Sequence, residues 1–321
     1  MPGVVEVNVK RYLIRTLILL AIILFLPYLA TMLITGVKYT RNKSMSTEEV
    51  SSVLTMNEYI MGVLAAINPP STPLESLKAQ TIVIRTVLYK EYIDSLEQNK
   101  VFNAALLQLP YVSLSSIEDA YSKDEFRNYY SDIVDAVSST TDRILLYDGE
   151  TAQPMMHVSN NGKTRDYEEV YGESRPYLIS INSEKDQESP DFKKRSVFQN
   201  EYLCTLLKEK FQIDIGTKDI KDKIRIETKD SAGYVVTITI GDKKITGEEF
   251  AKCLSLNSTC FLLDCGDTQT TIISSGRGDG FGLSCYGASC MANEGKEYLQ
   301  ILDTYFPGTT IERKELKEKE N

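Results

Sequence analysis

The sequence predicts an α+β fold in which helices come early and late along the chain and antiparallel strands lie between them. Three observations support this class. Residues 57 to about 137 have the pattern of helices. From residue 143 onward, short alternating apolar segments are separated by turn residues. The last third contains a glycine-rich loop that is followed by two further helical segments. No internal repeat is visible.

An uncharged apolar run covers Thr16–Val37. At about 1.5 Å per residue it is roughly 33 Å long, which is enough to cross the hydrocarbon core of a bilayer. A membrane helix tolerates Pro27 inside the run. A cleaved signal peptide is the alternative, because basic residues precede the run. The run continues past Pro27 and no A-x-A cleavage site follows, which favours an uncleaved anchor.

The anchor divides the chain into five predicted parts. They are a cytoplasmic tail (1–15), a transmembrane anchor (16–37), a linker (38–53), one large domain (54–313) and a charged tail (314–321). Basic residues flank the span at both ends, and a long domain can be translocated regardless of charge. The flanking charge therefore does not fix the orientation.

Two helix starts are marked at the beginning of the large domain. Thr55–Glu58 and Thr72–Glu75 both have the spacing of capping boxes, and Pro73 suits the first helical position. Between them, Asn68-Pro-Pro-Ser71 cannot continue a helix. We therefore predict a short helix, a rigid turn and a long helix from Pro73 to roughly Glu97.

The middle and the end of the chain alternate between strands and short helices. A hairpin is predicted from strand 143–147 through the Asp148-Gly149 turn to a returning strand that continues through Met156. Further strands are predicted over 223–227, 234–240, 259–263 and 270–273, and helices over 247–254, 284–292 and 296–304.

Charge and cysteine content limit the possible ligands. The net charge is −9 and no basic patch is present, which argues against a nucleic-acid partner. The six cysteines all follow residue 200 and match no zinc signature, so we expect no metal and no cofactor. Two alternatives stay open for the thiols. Either at least one disulfide joins the 253–265 cluster to the 285/290 helix, or all six remain buried thiols.

Three segments occur in the order known from one bacterial family. The first is 58–69, EYIMGVLAAINP, which continues as 73–80, PLESLKAQ, and Arg85-Thr86. The second leads from residue 136 through His157 to residue 178, and the third is 276–288, GRGDGFGLSCYGA. With these residues the chain resembles the stage II sporulation protein D family. These enzymes cut the glycan strands of peptidoglycan by lytic transglycosylation in cell-wall remodelling or sporulation.

The resemblance implies a single-pass protein of the bacterial cell membrane whose C-terminal domain lies outside the cytoplasm. It implies peptidoglycan glycan strands as the ligand, with envelope or sporulation proteins as possible partners. It also implies a set of substrate-binding residues in the matched segments. These are His157, Lys163, Thr164, Tyr171, Tyr177, Gly278, Gly280, Gly282, Ser284 and Tyr286.

The reactive positions differ from the family pattern. A lytic transglycosylase needs a carboxyl group that donates a proton to the glycosidic oxygen and then accepts one from the sugar. In the family this group belongs to a Glu that aligns with Ile67, and an isoleucine has no proton to give. The family's His and Gln in the third segment are Asp279 and Cys285 here. We therefore expect the chain to bind glycan and to cut it weakly or not at all.

Three other acidic residues could supply the missing proton. Asp279 lies on the glycine-rich loop, where backbone can approach a ligand closely. Glu75 has a structural alternative in its capping box, and Glu169 has one as a solvated loop residue. For His157, the alternative to substrate contact is a hydrogen-bonded structural histidine.

Two classes of function remain open: a transglycosylase with a relocated acid, and a non-catalytic glycan-binding or scaffold protein of an envelope or sporulation complex. The surroundings of Ile67 distinguish them. A nearby carboxylate favours the enzyme, and an apolar pocket favours the scaffold.

Overall fold

The computed structural model describes residues 55–97, 109–190 and 192–314. Helices and antiparallel sheets in these ranges confirm the predicted α+β class. The predicted anchor (16–37) and linker (38–53) lie outside the described residues and stay predictions. In the three described ranges, none of the helices combines the length and the apolar character that a bilayer span requires.

Helices dominate the first part of the described chain. They are α1 (Met56–Ile67), α2 (Leu74–Glu97), α3 (Leu114–Ala120) and α4 (Lys123–Ser139). The capping box at the start of α1 is confirmed, because Thr55 accepts a hydrogen bond from the Glu58 N–H and the Glu58 carboxylate accepts one from the Thr55 N–H. This exchange satisfies two amide groups that a helix start would otherwise leave unpaired.

The capping box predicted for α2 is wrong, although the helix itself is confirmed. The Thr72 hydroxyl donates instead to the carbonyl of Pro69 at 2.8 Å, which closes the Pro-rich turn. The Glu75 carboxylate accepts from Lys78 at 2.6 Å and from the backbone N–H of Tyr298 at 2.8 Å. A residue far along the chain therefore takes the place of the local partner.

The remaining strands and helices alternate along the chain. The strands are β1 (Arg143–Tyr147), β2 (Glu150–Thr151), β3 (Met156–His157), β4 (Lys193–Gln199), β5 (Ile224–Lys229), β6 (Val235–Ile240), β7 (Lys243–Thr246), β8 (Phe261–Cys265), β9 (Gln269–Ser275), β10 (Leu283–Ser284) and β11 (Thr310–Arg313). The helices are α5 (Tyr167–Tyr171), α6 (Asn200–Phe211), α7 (Ile220–Lys223), α8 (Gly247–Cys253), α9 (Cys285–Asn293) and α10 (Tyr298–Tyr305).

The strands form four small sheets. Three contain antiparallel strands, in the orders β11-β1-β2, β4-β9-β8 and β5-β6-β7. In the fourth, β3 and β10 are parallel, with Ser284 opposite His157. The predicted β1–β2 hairpin is confirmed, but its returning strand stops at Thr151. Met156 belongs instead to the β3–β10 pair, which brings the second and third sequence segments side by side.

Three large hydrophobic cores and one small cluster (Ala232, Tyr234 and Cys260) stabilise the described elements. The first, between β1, α2, α9 and α10, includes Leu145 and Phe306. The second, between α6, α8 and two of the three-stranded sheets, includes Phe250 and Phe261. The third packs α1, α2 and α4 against one another. Ile67 contacts both the first and the third core, so the end of α1 is held from two sides.

A buried arginine joins the glycine-rich loop to the sheet that contains β5 and β6. Arg165 Nε lies 2.6 Å from the Asp230 carboxylate, and both side chains are almost completely buried. Its guanidinium carbon lies 4.9 Å from the Tyr234 ring centroid and 4.5 Å from that of Phe281. A second N–H donates to the carbonyl of Asp279 at 3.1 Å. This one cation therefore fixes the loop and the β5–β6 turn together.

All six cysteines are free in the structure. The proposed bridge from the 253–265 cluster to the 285/290 helix is therefore not formed. Cys253 and Cys265 pack against the second core, whereas Cys285 is part of the first. The separation of these cores keeps the predicted partners apart.

Candidate functional site

The end of α1, the Pro-rich turn, the residue after β3 and the start of α9 line one concave surface, which we call the Ile67 groove. It has a volume of about 210 Å³. Its lining residues are Ile67, Asn68, Pro69, Ser71, Thr72, Pro73, Val158, Cys285, Tyr286, Ser289 and Asn293. The three sequence segments thus meet at the groove, because Tyr286 donates its N–H to the carbonyl of Val158 at 3.0 Å.

Ile67 is half-buried at the end of α1 and is held by its neighbour. The Asn68 side chain exchanges two hydrogen bonds with Gln80 of α2, and the Asn68 carbonyl accepts from the Tyr129 hydroxyl at 2.7 Å. These contacts fix the position of Ile67, where the family resemblance led us to expect a glutamate. The side chain there is apolar and contacts two hydrophobic cores.

No carboxylate is present among the described residues that line the Ile67 groove. Its polar groups are hydroxyls, amides and one thiol. Burial raises the pKa of the Cys285 thiol to about 12, and the nearby Asp186 carboxylate contributes to the increase. The thiol therefore stays protonated at neutral pH and is not a nucleophile. The groove as it stands has hydrogen-bonding groups for a neutral ligand and no general acid.

Asp279 does not line the Ile67 groove. Its half-buried carboxyl lines a different cavity of about 320 Å³ with Val83, Ile84, Met155 and Met156. The carboxylate accepts the Phe281 N–H at 3.0 Å. Burial raises the pKa of Asp279 to about 6, against the opposing effects of the Phe281 hydrogen bond and Arg165. This pKa suits a general acid, but the position does not match that of Ile67.

Glu75 and Glu169 both have structural partners. Glu75 joins α2 to the start of α10, as described above. Glu169 accepts hydrogen bonds from the Ser231 N–H at 2.8 Å and the Ser231 hydroxyl at 2.6 Å, which ties α5 to the β5–β6 turn. Neither carboxylate lines the Ile67 groove.

His157 is buried beneath the groove. Its Nδ1 lies 2.9 Å from the Phe281 carbonyl, which only accepts, so Nδ1 carries the proton. Its Nε2 lies 3.1 Å from the Asn160 amide nitrogen and accepts from it. Burial lowers the pKa of His157 to about 4. The ring has the structural role that was the alternative to substrate contact, and contact with a ligand stays a prediction that would require its exposure.

The glycine-rich loop owes its path to residues without a Cβ. Gly278 and Gly280 have φ angles of 115° and 85°, in the left-handed region. A Cβ at Gly278 would lie 2.6 Å from the Cβ of His157, and one at Gly280 would lie 2.5 Å from the Tyr234 ring. These glycines, with Gly282, allow the loop to pack closely against β3, and substrate contact by them stays a prediction.

Asp186 is a site residue that the sequence analysis missed. It is fully buried below the first turn of α9, where its carboxylate accepts from Ser284 Oγ at 2.5 Å, from Ser183 Oγ and from Asn160. Burial raises the pKa of Asp186, although these hydrogen bonds oppose the effect. Ser284 also caps α9 by accepting the Gly287 N–H. The network therefore holds the turn that carries Tyr286.

The other predicted ligand-binding residues lie in different places. Tyr286 is half-buried in the groove, whereas Tyr171 is 47% exposed in a separate cleft. Tyr177 is buried and its hydroxyl accepts the Gln153 N–H at 2.9 Å. Thr164 is buried and bonds the carbonyl of Ile179, and Lys163 is exposed. The structure therefore places one predicted stacking residue, Tyr286, in the Ile67 groove.

Comparisons with known proteins agree with the motifs. A family model described as stage II sporulation protein matches residues 44–147. Stage II sporulation protein D of Bacillus subtilis is 29% identical over 263 residues, which are 80% of this chain and 74% of that protein. The protein of the same name from Bacillus amyloliquefaciens is 28% identical over 261 residues, with the same coverage.

A third relative is more distant. The amidase enhancer of Bacillus subtilis is 26% identical over 300 residues, which are 78% of this chain and 40% of that protein. The resemblance stated from the sequence is confirmed: residues 44–147 match the family model, and the chain is similar to stage II sporulation protein D over most of its length.

Proposed function

We propose that this chain binds the glycan strands of peptidoglycan in the Ile67 groove and cleaves them slowly or not at all. The observation that carries this proposal is the lining of the groove, in which an isoleucine takes the place of the acid and no carboxylate lies within the lining. Removing a general acid costs a factor of roughly 10² to 10⁴ in rate.

The lining of the Ile67 groove supports the proposal of sugar binding. Tyr286 has a half-buried ring at the groove, and such rings can stack on the apolar face of a sugar. Ser71, Ser289 and Asn293 supply uncharged hydrogen-bonding groups beside it. We propose that this binding takes place in the bacterial envelope, and the similarity to stage II sporulation protein D supports this proposal. There the anchored domain would act as a scaffold for other wall or sporulation proteins.

A transglycosylase with a relocated acid is the second candidate. It is favoured by Asp279, whose carboxyl has a pKa raised to about 6 by burial. This group lines the neighbouring cavity with Met155 and Met156, so the substrate would have to enter that cavity to be protonated. The placement makes Asp279 the weaker candidate.

Purified peptidoglycan and the full chain distinguish the two candidates. Sedimentation with the wall polymer measures binding, and mass spectrometry of the soluble fraction measures anhydro-muropeptides. We expect binding with little or no release. Strong release that Asp279→Asn abolishes would establish the relocated acid. Absence of sedimentation would overturn the glycan-binding function itself.

A further inference from the structure

A further cavity among the described residues is separate from the Ile67 groove. It has a volume of about 380 Å³ and lies between the C-terminal half of α2, residues 153–155 and α5. We call it the tyrosine cleft, and the residues that matter for its chemistry are Lys90, Glu91, Gln153, Tyr167, Tyr171 and Arg175. The resemblance names one of its residues, Tyr171, as a ligand contact, and the comparisons assign no ligand to the cleft as a site of its own.

Two aromatic rings form one wall of the tyrosine cleft. The Tyr167 and Tyr171 centroids are 4.7 Å apart, and both rings contact Phe281, at 5.6 Å between centroids in each case. Tyr171 keeps 47% of its surface exposed although Phe281 and the Glu248 carboxylate hold it in place. A fixed and exposed ring is a suitable platform for an apolar face of a ligand.

The polar groups of the tyrosine cleft favour an uncharged ligand. Lys90 is paired with Asp94 at 2.6 Å, and Arg175 is paired with Glu173 at 3.1 Å and lies over the Tyr167 ring at 4.0 Å. Both cations are therefore already neutralised, and an anionic ligand would meet the additional carboxylate of Glu91. Within the part of the chain that the structure describes, the side chains of Glu91 and Gln153 have no hydrogen-bond partner.

A ring platform beside a free amide and a free carboxylate matches the two kinds of surface on a neutral sugar. The C–H face packs on the ring, and the hydroxyl edge binds the planar polar groups. We propose that the tyrosine cleft is a second carbohydrate-binding site, which takes uncharged sugar units independently of the Ile67 groove. This inference rests on the proposed glycan-binding function and extends it from one binding site to two.

The two sites lie toward opposite ends of α2. Pro73, just before the helix, lines the Ile67 groove, and Lys90 lines the tyrosine cleft. The helical rise of about 1.5 Å per residue places them roughly 25 Å apart along the axis. Several sugar units fit within this distance, so a single long strand or two separate strands can occupy both sites. Binding at two sites would also increase the apparent affinity for a polymer.

The test uses the full chain and a hexamer of N-acetylglucosamine, with affinity measured by titration calorimetry. Tyr286→Ala first weakens the groove, and Tyr171→Ala is then added. We expect the single variant to retain measurable binding. The double variant should have about a tenfold lower affinity for the hexamer than the single variant, in the range that aromatic contacts contribute. Tyr171→Phe keeps the ring, so its affinity for the hexamer should be within about twofold of that of the unmodified chain.

Two further variants separate a lost binding site from a disturbed fold. Gln153→Ala changes an exposed side chain of the cleft, and in the Tyr286→Ala background it should also weaken hexamer binding. Tyr202→Ala, at a 57% exposed tyrosine of α6 outside the cleft, is the matched control and should change nothing. Thermal unfolding checks that each variant is folded.

The possible failures are distinguishable. If Tyr286→Ala abolishes all binding, or if Tyr171→Ala and Gln153→Ala leave the residual affinity unchanged, the tyrosine cleft is not a carbohydrate site and the groove function stands. If the unmodified chain binds neither the hexamer nor peptidoglycan, the proposed function fails and this inference fails with it.

Discussion

The side-chain amides of Asn68 and Gln80 form a reciprocal pair. Asn68 Nδ2 donates to Gln80 Oε1 at 2.8 Å, and Gln80 Nε2 donates to Asn68 Oδ1 at 3.0 Å. Both residues are buried, and Asn68 is the C-cap residue of α1. The pair ties the end of α1 to α2 and fixes the place where Ile67 enters the groove.

Removal of the Gln80 amide should therefore destabilise the fold. Gln80→Ala leaves the buried Asn68 oxygen without its donor, which costs about 1–3 kcal/mol in the free energy of unfolding. Chemical denaturation of the full chain measures this loss. Gln153→Ala, at an exposed glutamine, is the control and should change stability by less than about 0.5 kcal/mol. Equal effects of the two substitutions would show that the amide pair is not stabilising.

Restoring an acid at residue 67 should increase glycan cleavage. The apolar surroundings of Ile67 disfavour a charged carboxylate, so Ile67→Glu should have a raised pKa, as a general acid requires. We expect about a tenfold gain in anhydro-muropeptide release, below the full range for general acid catalysis because Asp279 and Cys285 also differ from the family.

Ile67→Gln is the matched control for this experiment, since it has the shape of the glutamate without its proton. It should bind peptidoglycan and release no more product than the unmodified chain. Equal release by the two variants would assign the gain to a change in shape and contradict the role of the carboxyl.

Asp279→Asn should stabilise the fold at neutral pH. The folded pKa of Asp279 is about 6 and the ordinary value is 3.8, so the folded state holds the proton more tightly. The stability from this group is therefore present at low pH and is lost as pH rises from about 4 to 6. An asparagine cannot ionise and can still accept the Phe281 N–H.

At pH 7, Asp279→Asn should increase the free energy of unfolding by at most about 3 kcal/mol, and this increase should vanish near pH 4. Thermal unfolding at a series of pH values measures it. Asp279→Ala also removes the acceptor for the Phe281 N–H, so it should increase stability less than Asp279→Asn does. A difference in melting temperature that does not depend on pH would refute the raised pKa.

His157 should make the fold sensitive to acid in the opposite direction. Its folded pKa is about 4 and its ordinary value is 6.5, so the unfolded state binds the proton more readily. The stability from the neutral ring is present above pH 6.5 and is lost as pH falls towards 4, by up to about 3 kcal/mol.

Asp279 titrates in the same window with the opposite sign, so the background for this measurement is Asp279→Asn. In that background, stability should fall as pH decreases from 6.5 to 4. Adding His157→Gln should make stability nearly independent of pH in this range, although it lowers stability at pH 7. An unchanged slope in His157→Gln would mean that another group causes the acid sensitivity.

Local rules predicted much of the fold and few of the contacts at the site. The Thr55–Glu58 capping box and the Asp148-Gly149 hairpin depend on neighbouring residues, and both were predicted correctly. The partner of Glu75 is Tyr298, more than two hundred residues away, and no local pattern identifies it. The edge strand β4 was missed because its basic residues, Lys193 to Arg195, look like part of a polar loop.

The chemistry of the site was harder to predict than its position. Each of the three segments contributes residues to the Ile67 groove, whereas His157 is not part of its lining and Asp279 lines another cavity. Asp186 gave no signal, because a carboxylate in a polar stretch from 182 to 194 is typical of an exposed loop. Its burial depends on Ser183, Ser284 and Asn160 meeting around it, which only the tertiary fold determines.

The glycine-rich loop also bears on how such a protein can diverge. Glycines at every second position from 276 to 282 have positive φ angles, and they carry the shape of the loop. Among the intervening residues, Asp279 adds one hydrogen bond to the Phe281 N–H, but the positive φ angles that turn the loop belong to the glycines. Mutation can therefore exchange reactive groups at these positions while the path of the chain is inherited intact. A loop built in this way can lose an enzymatic activity in a single step and keep its surface available for a new role.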